Sequence, residues 1–171
     1  EPALRERVAL LKGLPESVVD EVIARRVTLM SGAARLLRVM RRHGTYAALV
    51  SGGFTVFTGP IAAKLGFDEH RSNRLVVEDG RFAGAVAEPI LGQQAKLDAL
   101  RDLTARLKLD PRETMAVGDG ANDLAMIGAA GLGVAYHAKP AVAASAAARI
   151  DWSDLTALLF AQGYRDSDLA A

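Results

Sequence analysis

The run Thr114-Met115-Ala116-Val117, followed by Gly118-Asp119-Gly120-Ala121-Asn122-Asp123 and then by Leu124-Ala125-Met126-Ile127, constrains this chain more than any other segment. A short, mostly apolar run bounded by glycine reads as a buried parallel strand, and the apolar residues after the turn read as the opening of a helix. A strand that passes through a glycine turn directly into a helix is half of a βα unit, the element from which parallel α/β sheets are built. The two carboxylates and the amide of the turn then stand at the carboxyl end of a strand, where open α/β sheets place their ligands. Asp119, leaving the strand end, suits direct coordination of a hard cation such as Mg2+, with Asn122 and Asp123 orienting that shell. The same pattern also fits an Asx-rich turn in which Asp123 caps the next helix, and the local sequence does not separate the two.

The rest of the chain alternates helix and strand in the same manner. Ala33, Leu36, Leu37 and Met40 fall at helical spacing up to a glycine stop at His43-Gly44, and Tyr46 to Val50 is a compact strand leading into Ser51-Gly52-Gly53. A helix follows with Phe54, Phe57, Ile61 and Leu65 on one face. Arg74 to Val77 and Phe82 to Val86 flank Glu78-Asp79-Gly80-Arg81, whose Asp-Gly pair signals a hairpin. Leu97, Leu100, Leu103 and Leu107 mark another helix, Leu132 to Val134 a strand, Ala141 to Ala147 a small-residue helix and Arg149-Ile150 a short strand. Leu155, Leu158 and Leu159 line a last helix with its N-cap at Ser153 or Asp154, and Asp166-Ser167-Asp168 lies in a polar tail and leads into no helix.

The opening residues differ in kind. Leu4, Val8 and Leu11 form one helical stripe, and Pro15 suits the first turn of a second helix carrying Val18, Val19, Val22 and Ile23. This pair reads as part of a separate helical cap, residues 1–27, ahead of a core spanning 28–171. Arg5, Arg7 and Lys12 fit a solvated helix face.

With 171 residues, half of them hydrophobic, the chain can bury one sizeable core, and a net charge of +1 offers no general attraction for nucleic acid or acidic membrane. The absence of cysteine excludes disulfides, thiol catalysis and zinc–thiolate sites. No apolar run approaches the roughly 18 residues of a spanning helix, so a soluble, cytoplasmic protein is expected. His43, His70 and His137 lack ligand spacing, and Trp152 with five phenylalanines is too sparse for a nucleic-acid stacking surface.

Two further segments carry polar groups to strand and helix ends. Ser51-Gly52-Gly53 offers a hydroxyl and free amides at a helix start, which suits a phosphate or an ordinary turn. Lys96 opens a helix, where a cation is unfavourable for the dipole; it fits either a phosphate or solvent after the polar Gln93-Gln94 start.

In their order, Ser51-Gly52-Gly53-Phe54, then Lys96, then Gly118 to Asp123 resemble the second, third and fourth motifs of the haloacid dehalogenase superfamily of phosphatases. Leu4 to Leu11, Asn73-Arg74-Leu75, Lys139-Pro140 and the stretch from Phe160 to Tyr164 narrow the resemblance to its phosphoserine phosphatase branch over nearly the whole chain. The resemblance implies an α/β, three-layer Rossmann-like core with part of a helical cap, and Mg2+-dependent hydrolysis of O-phosphoserine to serine, the closing step of serine biosynthesis. It implies that Ser51 and Gly52 hold the phosphoryl group, Lys96 neutralises its charge, and Asp119 ligates Mg2+. Asn122 would contact the phosphate or a bound water, Asp123 would brace the turn, and Arg7 would pair with the substrate carboxylate.

The superfamily's nucleophile lies in an Asp-x-Asp-x-Thr segment that this sequence does not contain; Asp166-Ser167-Asp168 is its nearest approximation. The chain, beginning at Glu1, is therefore expected to lack a preceding strand and half of the cap, and to be neither catalytically competent nor stably folded alone. A phosphatase or phosphotransferase for another small phosphorylated amino acid or amino alcohol, and a non-catalytic phosphate-binding module, are the alternatives. The expected partner is a small molecule rather than nucleic acid or membrane, and a homodimer is left open.

Overall fold

A computed structural model describes residues 1–92 and 94–169. In chain order the elements are α1 (Pro2–Ala9), α2 (Val18–Arg26), α3 (Ala33–Arg42), β1 (Ala48–Phe54), α4 (Thr55–Leu65), β2 (Glu69–Asn73), β3 (Leu75–Glu78), β4 (Arg81–Val86), α5 (Ala95–Arg106), β5 (Met115–Gly118), α6 (Leu124–Ala129), β6 (Leu132–Tyr136), α7 (Pro140–Ala143), β7 (Ala148–Ile150), α8 (Ala157–Ala161) and α9 (Asp166–Leu169). Gln93, half of the polar pair read ahead of Lys96, lies outside the described residues. The chain divides into two compact units, 1–29 with 44–92 and 30–43 with 93–171.

In the first unit β1 and β2 run parallel, and β3 and β4 form an antiparallel hairpin. The hairpin closes at Glu78 and Arg81, with Asp79 and Gly80 both at positive φ (50° and 71°) as an Asp-Gly turn requires. Val8 and Val19 from the first two helices share an apolar cluster with Leu75, Phe82 and Val86, and Phe54, Val56 and Phe57 pack against it. Pro15 is not in a helix. It sits three residues before α2, bridged to Arg81, where the chain runs beside β4 through Gly13 N–H to Phe82 O, Phe82 N–H to Leu14 O and Glu16 N–H to Gly80 O. Proline, lacking an N–H, costs nothing at that edge.

The second unit carries the parallel sheet β5-β6-β7 in that order. Its core joins Leu36, Val39 and Met40 of α3 to Val134 of β6, Leu158 and Leu159 of α8, and Leu169. The small-residue helix is shorter than its alanines suggest, ending at Ala143 before the chain enters β7 at Ala148. At α8 the cap residue is Thr156, and Asp154 serves two residues back, its carboxylate accepting the Thr156 N–H and hydroxyl and the Ser31 hydroxyl. The polar tail itself forms a short helix: Asp168 accepts the Arg165 N–H, α9 makes one turn, and Leu169 is buried against α3. One apolar residue with a core to reach outweighs the polarity of its neighbours. Trp152, just past β7, is 96% exposed.

Among the described residues β1 pairs only with β2, and β5 only with β6, so each leaves one edge of its ladder open. No helix among them is long and apolar enough to cross a membrane.

Packing of α6 on β6 requires glycine at position 133, where a Cβ would lie 2.0 Å from the Ile127 carbonyl oxygen. Gly133→Ala is expected to cost about 3 kcal/mol or more. Gly128→Ala, on the open side of the same helix where a Cβ meets nothing within 4 Å, is expected to stabilise by roughly 0.5–1 kcal/mol. Urea unfolding followed by far-UV circular dichroism reads both; equal signs would contradict this packing.

Candidate functional site

The acidic turn leaves β5 at Gly118 and re-enters helix through a 3-10 turn, Ala121–Asp123, that runs into α6. Asp123 does not cap α6 with its side chain. The side chain folds back instead: its Oδ2 accepts the amides of Asp119 and Gly120, both at 3.0 Å, and its Oδ1 accepts the Lys96 ammonium. The fold admits this only because position 118 lacks a side chain, since a Cβ there would stand 2.4 Å from the Asp123 Cβ and Cγ. Asp123 is 1% exposed. Burial alone would raise its pKa, but the Lys96 ammonium and the two amides outweigh that and hold the carboxyl below the usual aspartate value.

Lys96, in the first turn of α5, therefore ends on a carboxylate of the same unit rather than in solvent. An ammonium has three donors, so two remain for another acceptor. Asp119 and Asn122 are exposed in the same turn as Asp123, and no described residue hydrogen-bonds the Asp119 carboxylate; the Asp119 backbone oxygen accepts the Lys139 N–H at 3.3 Å. The donor set fits a hard cation: one unengaged carboxylate at a strand end, with the second carboxylate fully spent on the turn. No group of three or more histidine, aspartate or glutamate residues that could hold a metal occurs among the described residues.

In the first unit, Ser51-Gly52-Gly53 lies within β1 rather than after it. Val50 pairs with Arg71 and Phe54 with Asn73, so three residues of β1 oppose Ser72 alone, and the strand bulges before α4 begins at Thr55. Ser51 Oγ accepts the Gly53 N–H at 3.0 Å, which leaves its proton free to donate outward. Asn73, a buried residue that residue-by-residue reading passed over, contacts the same bulge: its Nδ2 donates to Gly52 O at 3.0 Å and its Oδ1 accepts the Leu91 N–H at 2.7 Å. Asparagine is depleted in strands, so its place at the end of β2 was the available signal.

Arg7 is exposed on α1, whereas its neighbour Arg5 pairs with Glu1 and Glu88. Ser51, Gly52 and Arg7 belong to the first unit; Lys96, Asp119, Asn122 and Asp123 belong to the second, which brings them together. The three histidines are engaged locally, His43 edge-on to Tyr164, His70 with the Thr58 hydroxyl, and His137 with the Ser153 carbonyl.

A sequence profile of the haloacid dehalogenase-like hydrolases matches residues 1–128. The phosphoserine phosphatase of Haemophilus influenzae is 43% identical over 159 residues, 93% of this chain and 50% of that protein. Among solved structures, a probable phosphoserine phosphatase from Vibrio cholerae in unliganded form superposes with a TM-score of 0.88 at 38% identity, covering 94% of this chain and 51% of the other. A phospho-aspartyl intermediate analogue of a phosphoserine phosphatase gives a TM-score of 0.85 at 38% identity, covering 94% and 77%. The chain spans about half the length of the first of these curated relatives.

Breaking a buried ion pair from one side strands the other charge, so Asp123→Asn is expected to cost about 3 kcal/mol at pH 7. A carboxyl held below its ordinary pKa stabilises the fold above about pH 4, and that contribution is lost as pH falls through the lowered value. The gap between parent and variant should therefore narrow from about pH 5 towards pH 3, read as urea midpoints; a constant gap would refute the pairing.

Proposed function

This chain belongs to the haloacid dehalogenase-like hydrolases, and we propose that the protein carrying it hydrolyses O-phosphoserine to serine and phosphate with Mg2+ as cofactor. The observation that carries the reading is the division of labour in the acidic turn. Asp123 is spent on Lys96 and two amides, while Asp119, four residues away, keeps its carboxylate unengaged. Asp119 would hold Mg2+, and Asn122 would contact the phosphoryl group or a bound water. The cation, when bound, supplies charge neutralisation at the phosphoryl oxygens.

In this reading Ser51 donates its hydroxyl proton to a phosphoryl oxygen, and Gly52 offers its amide. The free donors of Lys96 meet the phosphoryl group and the nucleophile. Phosphoryl transfer asks for little else than positioning and charge stabilisation. An aspartate outside this sequence attacks phosphorus, the bond to the serine oxygen breaks as that oxygen takes a proton from a second aspartate of the same outside segment, and water, giving its proton back to that second aspartate, then cleaves the aspartyl phosphate. The open ladder edges of β1 and β5 favour a further strand carrying that aspartate. Residues 1–27 act as part of the cap, from which the planar fork of Arg7 receives the substrate carboxylate. The reaction would supply serine to biosynthesis in the cytoplasm.

Two measurements on the full-length protein test this. Asp119→Asn should weaken Mg2+ binding and reduce turnover by orders of magnitude, because a neutral amide replaces an anionic ligand; an unchanged Mg2+ dependence would exclude Asp119 as the ligand. Arg7→Ala should lower kcat/KM for phosphoserine by about 30-fold, the equivalent of roughly 2 kcal/mol, while sparing phosphoethanolamine, which has no carboxylate. Equal losses on both substrates would point instead to an amino-alcohol phosphatase or to a merely structural arginine.

A further inference from the structure

We infer that Asn73 is a positioning residue that sets the orientation of the Ser51-Gly52-Gly53 bulge. The inference rests on the reading of that bulge as the phosphoryl-binding segment. Three residues of β1 face one residue of β2, so the ladder cannot engage every polar group of the bulge. The Gly52 carbonyl is taken up by a side chain, the Asn73 amide, at 3.0 Å. The orientation of that amide is not arbitrary. Leu91 N–H can only donate, so the atom it meets at 2.7 Å must be Oδ1, and Nδ2 must face Gly52. Asn73 is 2% exposed, which makes both bonds costly to lose.

The effect passes to Ser51 through one peptide plane. The Gly52–Gly53 peptide is gripped at its carbonyl by Asn73 and at its N–H by Ser51 Oγ at 3.0 Å. Two consecutive glycines would otherwise let that plane rotate at little cost. Rotation would withdraw the Gly53 N–H from Ser51 Oγ, and the hydroxyl would then be free to point its proton elsewhere. With the plane fixed, Ser51 Oγ accepts from the backbone, and its proton has the incoming oxygen as its remaining acceptor. Asn73 thus acts on the phosphoryl group without touching it, tying the loop to Leu91 in the segment that leads to α5.

Asn73→Asp keeps the shape and removes the Nδ2 donor, and Asn73→Ser serves if a buried carboxylate unfolds the sheet. Binding of inorganic phosphate to the full-length protein, by isothermal titration, should weaken about tenfold or more in either variant, with kcat for phosphoserine falling in parallel. Thr58→Val is the structural comparison, because Thr58 is also buried and bonds the side chains of Ser72 and His70 of the same strand without bonding Ser51, Gly52 or Gly53. It should lower the unfolding midpoint while leaving phosphate affinity within twofold. If the Asn73 variants lose stability like Thr58→Val but bind phosphate as the parent does, the inference is overturned. Ser51→Ala separates the two levels. Weakened phosphate binding there alone refutes only the role of Asn73, whereas unchanged binding removes the phosphate reading and this inference with it.

Discussion

The buried carboxylate of Asp123 is the contact on which the acidic turn depends. It holds two amides and an ammonium at once, and a side chain at position 118 would leave it no room. An isolated charge at that depth would neutralise itself by taking up a proton; one with three donors keeps its charge and draws the backbone around it. The consequence falls on its neighbour. Because Asp123 satisfies the turn, Asp119 has no structural obligation among the described residues and stands exposed with its carboxylate unengaged. Two chemically identical side chains four residues apart thus acquire different tasks from their surroundings.

The Ser-Gly-Gly bulge reaches a comparable order with no net charge inside it. It is held by a neutral amide, a hydroxyl and backbone groups: Gly53 N–H donates to Ser51 Oγ, Asn73 Nδ2 to Gly52 O, and Leu91 N–H to Asn73 Oδ1. Neutral hydrogen bonds are individually weaker than charge-assisted ones and depend less on ionic strength. Under the proposed phosphate-binding role this arrangement has an advantage, since a carboxylate placed there as a brace would repel an anion. Charge organises the turn that suits a cation, and neutral amides organise the bulge that suits a phosphate.

The βα alternation was legible because short apolar runs ending in glycine leave few alternatives, and the hairpin because Asp79-Gly80 accepts positive φ. The three polar side chains of the acidic turn and Lys96 were legible as a set only through their order along the chain; Lys96 alone fitted solvent equally well. What escaped were features decided at a distance. Pro15 reads as a helix start by its neighbours, yet β4 recruits the segment around it as an added edge. The tail reads as polar until Leu169 finds the α3 core, and Asn73 reads as an ordinary strand end until its amide meets Gly52. In each case the deciding partner lies tens of residues away, beyond any local window.

The solvent-exposed Trp152 has an optical consequence. It is the only tryptophan of the chain, and its indole is already in water when the protein is folded. Its fluorescence should emit at the red end of the tryptophan range in the native state and shift little on denaturation, so the emission of this residue is a poor gauge of folding. The same property makes it a sensitive beacon for anything that settles beside β7. A partner covering the indole would move it from water into an apolar environment and shift its emission to the blue, against an almost silent background.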